Sequence, residues 1–182
     1  MIDSFINDPL AQAIGALAII LSIASFQVKK RSGILIIQCF ASLAFSASLI
    51  MLGGIVGGIL DIISFTRTLV FSLSEKYKWA RSKWWLVFYL ILIVVVGIIT
   101  WGDKSSIAPL FAIIGTLLST VALYVKNENL MRKISLLVGP WWIIYNFIYS
   151  SFFGILNELF AITSIIIALI RMREKKSRDI TI

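Results

Sequence analysis

The side chains able to do chemistry in this chain are few, and most sit inside apolar runs. Asp61 ends the phrase Gly58-Ile59-Leu60-Asp61, and Glu158 follows Gly154-Ile155-Leu156-Asn157. An ionised carboxylate at the centre of a membrane span costs about 2.5–3.5 kcal/mol on insertion scales, so each should face the protein interior or water. Helical spacing of three and four adds companions. Gln38, Ser42 and Ser46 share one stripe, and Ser135, Gly139, Trp142, Asn146 and Tyr149 share another. Asp61 continues through Ser64 to Thr68. A flat aromatic beside amides is a common way to hold a small polar ring. The expected substrate-binding residues are therefore Asp61, Asn157, Trp142, Asn146, Gln38 and Ser42.

Several of these carry a plainer reading. Asp61 could simply tie helices together, although its counterpart Asn157 favours contact with a substrate or proton. Trp142 could be core packing. Glu158 lies about 100° around the helix from Asn157 and is expected to serve structure or gating. Pro140 removes one helical hydrogen bond and is a candidate hinge, though ordinary kinks are commoner. Other chemistry is missing. The chain has no histidine and one cysteine, Cys39, which reads as a small apolar filler. No zinc or iron site, Ser-His-Asp set or phosphate loop can be assembled, so neither an enzyme nor a cofactor is expected.

The elements that position these residues are apolar segments. Hydrophobic residues make up 59% of the 182 and charged residues 14%, against roughly 45–50% and 25% in soluble domains. Seven segments approach the length of about 20 residues needed to cross a bilayer: 10–28, 32–52, 53–72, 84–101, 107–125, 134–150 and 151–170. The first lacks a basic leader and reads as a span rather than a cleaved signal. Only Gly53-Gly54 separates the second from the third, so that turn must be very tight. Gly53, Gly54, Gly57 and Gly58 form a face that another helix can approach closely. Segment 84–101, bracketed by Trp84, Trp85 and Trp101, has no polar stripe and no small-residue face.

The chain also repeats itself. Ile14-Gly15-Ala16-Leu17 returns as Ile114-Gly115-Thr116-Leu117, and Gly58-Ile59-Leu60-Asp61 returns as Gly154-Ile155-Leu156-Asn157. Internal duplication is a mark of transporters, whose sites lie where the halves meet. Each copy holds three segments, and a parallel second copy needs one extra crossing to begin on the same face. The expected architecture is an all-α, polytopic single domain. Residues 10–72 form one three-helix repeat, 84–101 a linker helix, 107–170 a second repeat and 171–182 a basic tail.

Charge orients this arrangement. Of 17 Lys and Arg, all but Lys104 fall at one face: Lys29, Lys30 and Arg31; Arg67, Lys76, Lys78, Arg81 and Lys83; Lys126, Arg132 and Lys133; and five from Arg171 to Arg178. The positive-inside rule makes that face cytoplasmic and places the N-terminus, with Asp3 and Asp8, outside. The same bases suit anionic lipid headgroups. They form no groove-reading element, so nucleic acid is not an expected partner.

Certain residues resemble the YgjV family of bacterial inner-membrane proteins. In the second half they are Pro109, Ile114-Gly115-Thr116, Ser119-Thr120, Ala122-Leu123, Met131-Arg132, Tyr145-Asn146 and Arg171-Met172-Arg173. In the first half they are Ile59-Leu60-Asp61 and Arg67-Thr68, where the family pattern implies Asn at the Asp61 position. The resemblance implies an inner-membrane location and no assigned activity. The three-one-three layout is more distantly similar to the SWEET and PQ-loop transporters. That likeness implies a central pocket with Trp142 and Asn157 in the second half, and Asp61 and Ser42 in the first. Ser25-Phe26-Gln27 resembles the Pro-Gln turn without its proline.

The leading expectation is a carrier or facilitator for a small polar solute. The alternative is a non-transporting partner subunit, chaperone or regulator held by the glycine faces. A homo-oligomer and a monomer both fit.

Overall fold

A computed structural model describes residues 8–25, 31–74, 76–102, 106–125 and 127–180. The expectations resting on Asp3, Phe26-Gln27, Lys29-Lys30, Lys104 and Lys126 fall outside these residues. Among the described residues there are seven α-helices, one 3-10 turn at Trp79–Arg81 and no strand. The helices are α1 (Pro9–Ser25), α2 (Arg31–Met51), α3 (Ile55–Leu73), α4 (Trp84–Ile99), α5 (Ala108–Tyr124), α6 (Glu128–Ile148) and α7 (Phe152–Ile180).

Two boundaries differ from expectation. α6 begins at Glu128 rather than near 134, because the Asn127 side chain accepts a hydrogen bond from Leu130 N at 3.1 Å and caps it. α7 continues to Ile180 instead of ending near 170. The residues that follow Ile170 include Arg, Met, Glu and Lys, all good helix formers, and no Gly or Pro occurs before Ile180.

The turn between α2 and α3 is as tight as the sequence requires. Gly53 takes φ +84°, Gly53 N donates to Ile50 O at 3.1 Å, and Gly54 N donates to Leu49 O at 2.8 Å. This is a Schellman closure, in which a left-handed residue lets two orphan carbonyls be satisfied. The turn between α6 and α7 has the same pattern. Ser150 takes φ +53°, Ser150 N donates to Phe147 O at 3.2 Å, and Ser151 N to Asn146 O at 2.8 Å. Glycine accepts that conformation freely, whereas serine holds it at a cost.

Packing follows the chain and then crosses it. α1 lies on α2 and α2 on α3, while α5 lies on α6 and α6 on α7. α3 meets α5, and α1 meets α7. α4 packs mainly along α5, and less on α3. The helix expected to lack any small-residue face does have a narrow buried stripe, Tyr89, Ile93 and Gly97, with Gly97 seated on Ile113 of α5. The buried cluster draws Leu49, Leu60, Ile63, Ile93, Ile113, Trp142 and Tyr145 from α2 to α6. Every helix also carries large apolar side chains on its outer surface, among them Leu10, Phe40, Ile62, Ile99, Leu110, Phe147 and Phe160. Apolar exposure on that scale suits contact with lipid rather than water. By length and composition, Ile55–Leu73 and Phe152–Ile170 are long and apolar enough to cross a membrane, and α1, α4 and α5 are shorter apolar helices.

Candidate functional site

Five helices enclose a cavity of about 230 Å³. α2 contributes Ser42, Phe45 and Leu49, one face at spacings of three and four. α3 contributes Asp61, Ser64 and Arg67, and α5 contributes Ser119. α6 contributes Val138, Trp142 and Asn146, and α7 contributes Gly154, Asn157 and Glu158. Of the residues expected from sequence to bind substrate, Asp61, Asn157, Trp142, Asn146 and Ser42 are brought together at this cavity. Gln38 is half-buried on α2 and is not among its lining. Glu158 shares the cavity with Asn157, whose amide nitrogen donates to Glu158 Oε1 at 3.5 Å. Pro140 is exposed in an α6 that runs unbroken from Glu128 to Ile148, and it does not line the cavity.

Arg67 corrects the sequence reading. It was expected among the basic residues at the end of the third segment, but it lies inside α3 and is only 4% exposed. Its Nη1 donates to Thr116 O at 3.2 Å, to Ser119 Oγ at 3.0 Å and to Thr120 Oγ1, all on α5. A buried guanidinium needs such acceptors, and the Thr-rich face of α5 supplies them without giving up its own bonds. Thr116, Ser119 and Thr120 each still donate to a carbonyl within α5. Arg67 Nε is buried without a partner. The polar face of α3 therefore runs Asp61, Ser64, Arg67, and Thr68 is not part of the lining. Spacing of three from Ser64, and the Arg67-Thr68 pair within the family resemblance, were signals available in the sequence.

A second tie joins α3 to α6. The backbone N–H of Gly57 donates to the Tyr145 hydroxyl at 2.7 Å. Gly57 lies in the first turn of α3, whose N-terminal residue Gly54 offers no side-chain cap. The first N–H groups of a helix lack intrahelical partners, so Tyr145 supplies from another helix what the local sequence omits. The approach is close enough that a Cβ on Gly57 would strike the Tyr145 ring.

The two closing turns share one hydrogen-bond pattern. Leu49, Ile50, Gly53 and Gly54 play the parts of Asn146, Phe147, Ser150 and Ser151, each pair 97 positions apart. The repeated letters gave shifts of 96 and 100 and paired Asp61 with Asn157 and Ser42 with Trp142. Counted at the 97-residue spacing of the turns, Asp61 stands level with Glu158, Phe45 with Trp142 and Leu49 with Asn146. All six of those residues line the cavity. Phe45 was missed because the letters drew attention to Ser42.

Asp61 forms no hydrogen bond or ion pair among the described residues, and no cluster of three or more His, Cys, Asp or Glu is placed to hold a metal. The lining thus combines two carboxylates, one guanidinium, two amides, three hydroxyls and two aromatic rings.

No curated protein and no solved structure matches the chain. A model of the Imp-YgjV family, described as bacterial inner membrane protein, matches residues 9–176. With nearly all of its helical bundle inside that match, the chain belongs to the Imp-YgjV family of bacterial inner membrane proteins.

Proposed function

We propose that this chain is a carrier or facilitator that takes a small polar solute across the bacterial inner membrane, binding it without transforming it. The observation that carries the reading is the cavity itself: about 230 Å³ of space, lined by polar side chains from α2, α3, α5, α6 and α7, inside a bundle whose outer surface is apolar. A polar cavity within such a bundle has no packing purpose, because ionisable groups at that depth are costly. Its volume equals about eight waters at roughly 30 Å³ each, which suits a solute smaller than a drug-sized ligand.

In this reading the chain crosses the bilayer seven times as two parallel three-helix units joined by α4. The matching turns and matching pairs described above support a duplicated unit. The layout is that of the SWEET and PQ-loop carriers, and the likeness forms part of the proposal. Exposed Lys76, Lys78, Lys83 and Lys133 would mark the cytoplasmic side, with both turns outside.

The test is solute entry into vesicles carrying the purified protein, followed by light scattering over a panel of small neutral, cationic and anionic solutes. The expected result is accelerated entry of at least one class, lost in Trp142→Ala and in Asn157→Ala. Entry equal to that of protein-free vesicles across the whole panel would remove the carrier reading.

A further inference from the structure

Resting on the carrier reading, we infer that the solute bears a positive charge: the cavity is built to take one small organic ammonium ion. The first argument is charge balance. Among the described residues of the lining, Asp61, Glu158 and Arg67 are those that carry formal charge. Two carboxylates against one guanidinium leave a single negative charge in excess. With both carboxylates ionised, that excess is strongly unfavourable without a counter-charge, and one monovalent cation in the cavity would balance it.

The second argument is the supply of acceptors. Arg67 has turned its Nη1 away to three oxygens of α5, and it makes no ion pair with Asp61 or Glu158 among the described residues. Among the described residues Asp61 has no donor, and Glu158 has only the long contact from Asn157. Asn146 is 4% exposed, lines the same cavity, and leaves its Oδ1 without a partner. Beside one unpartnered donor, Arg67 Nε, the carboxylates of Asp61 and Glu158 offer acceptors to which an ammonium group would bring donors and charge together.

The third argument is the pair of rings. Phe45 and Trp142 occupy equivalent places in the two halves and both line the cavity. Aromatic faces near carboxylates attract a cation through the ring quadrupole, and tryptophan does so best. A neutral sugar would use the rings and amides but would leave the excess charge uncompensated. An anion would add to it.

The experiment compares matched probes on the full-length protein in detergent, by thermal shift and by competition in the vesicle assay. Methylammonium is set against methanol, and ethanolamine against ethylene glycol and glycolate. The ammonium probes are expected to stabilise the protein, and the neutral and anionic ones to leave it unmoved. Asp61→Asn should weaken ammonium binding about tenfold or more, the equivalent of one charged hydrogen bond. Glu158→Gln, in the other half, should do the same and serves if the first variant does not fold. Equal stabilisation by charged and neutral members, or ammonium binding unchanged in both variants, would overturn the ammonium assignment. If neutral solutes still enter the vesicles and ammonium ions neither bind nor compete, the carrier stands and the charge inference falls, with a proton then balancing the carboxylates. No entry of any solute would remove both.

Discussion

Replacing Tyr145 with phenylalanine removes one oxygen and leaves the ring in place. Tyr145 is fully buried, and its hydroxyl is the acceptor for Gly57 N at 2.7 Å. The substitution opens almost no space, so the cavity cost that accompanies most core changes is small. What remains is a backbone N–H in the first turn of α3, buried and without an acceptor. Leaving such a group unsatisfied costs about 1–3 kcal/mol, and the loss of a helix cap costs about 1 kcal/mol. For a chain of this length each kcal/mol moves the midpoint about 2–4 °C, so Tyr145→Phe should lower Tm by about 2–12 °C. Tryptophan fluorescence during heating of the detergent-purified protein would read it. Gly57→Ala offers an internal check. A methyl there would strike the ring and push the hydroxyl off the same N–H. The second change should therefore add little to the first, as expected when two substitutions break one contact. A Tyr145→Phe midpoint within about 1 °C of wild type, or two fully additive effects, would refute the capping role.

Three further outcomes follow. Arg67→Met should leave the α5 hydroxyls on their own carbonyls but leave Asp61 and Glu158 with no countercharge. Its midpoint should fall at neutral pH and recover as pH is lowered and the carboxylates gain protons, and a pH-independent midpoint would break that link. Asp61→Asn, at the cavity that Asp61 shares with Glu158 and Arg67, should abolish any pH dependence of solute entry while expression persists, and unchanged pH dependence would remove Asp61 from the mechanism. Ser150→Gly should raise stability by up to about 1 kcal/mol by relieving a left-handed serine, whereas Gly53→Ala should lower it by a similar amount. Paired melting curves would show opposite shifts if the two turns are equivalent.

The helices were legible because their apolar runs are long and their breaks are marked by glycine or charge. The cavity was legible in part because Asp61, Trp142, Asn146 and Asn157 are polar or aromatic residues at helical spacing in apolar surroundings. Arg67 was not, because a cation six residues past Asp61 and close to a basic loop reads as the end of a span. Only the facing oxygens of Thr116, Ser119 and Thr120 make it an interior residue. Tyr145 was not singled out for a role because the N–H it serves belongs to a helix 88 positions away. The extension of α7 was hidden by its charge, which resembles a tail although every residue in it tolerates a helix.

Under the proposed duplication, the mismatch between repeated letters and repeated turns bears on ancestry. A recombination event that joined the copies by their words, Gly58 onto Gly154, would deliver Asn157 to the seat of Asp61. The grafted helix would be rotated by about 100° relative to its bundle, since one residue is that fraction of a turn. A crossover at the turn, Gly53 onto Ser150, would seat Glu158 where Asp61 stood and keep the apolar flank outward. Viable exchange between the two halves is therefore expected to pass through the joint rather than the phrase. A chimera built on the most obvious alignment of the letters would inherit a cavity facing the wrong neighbour.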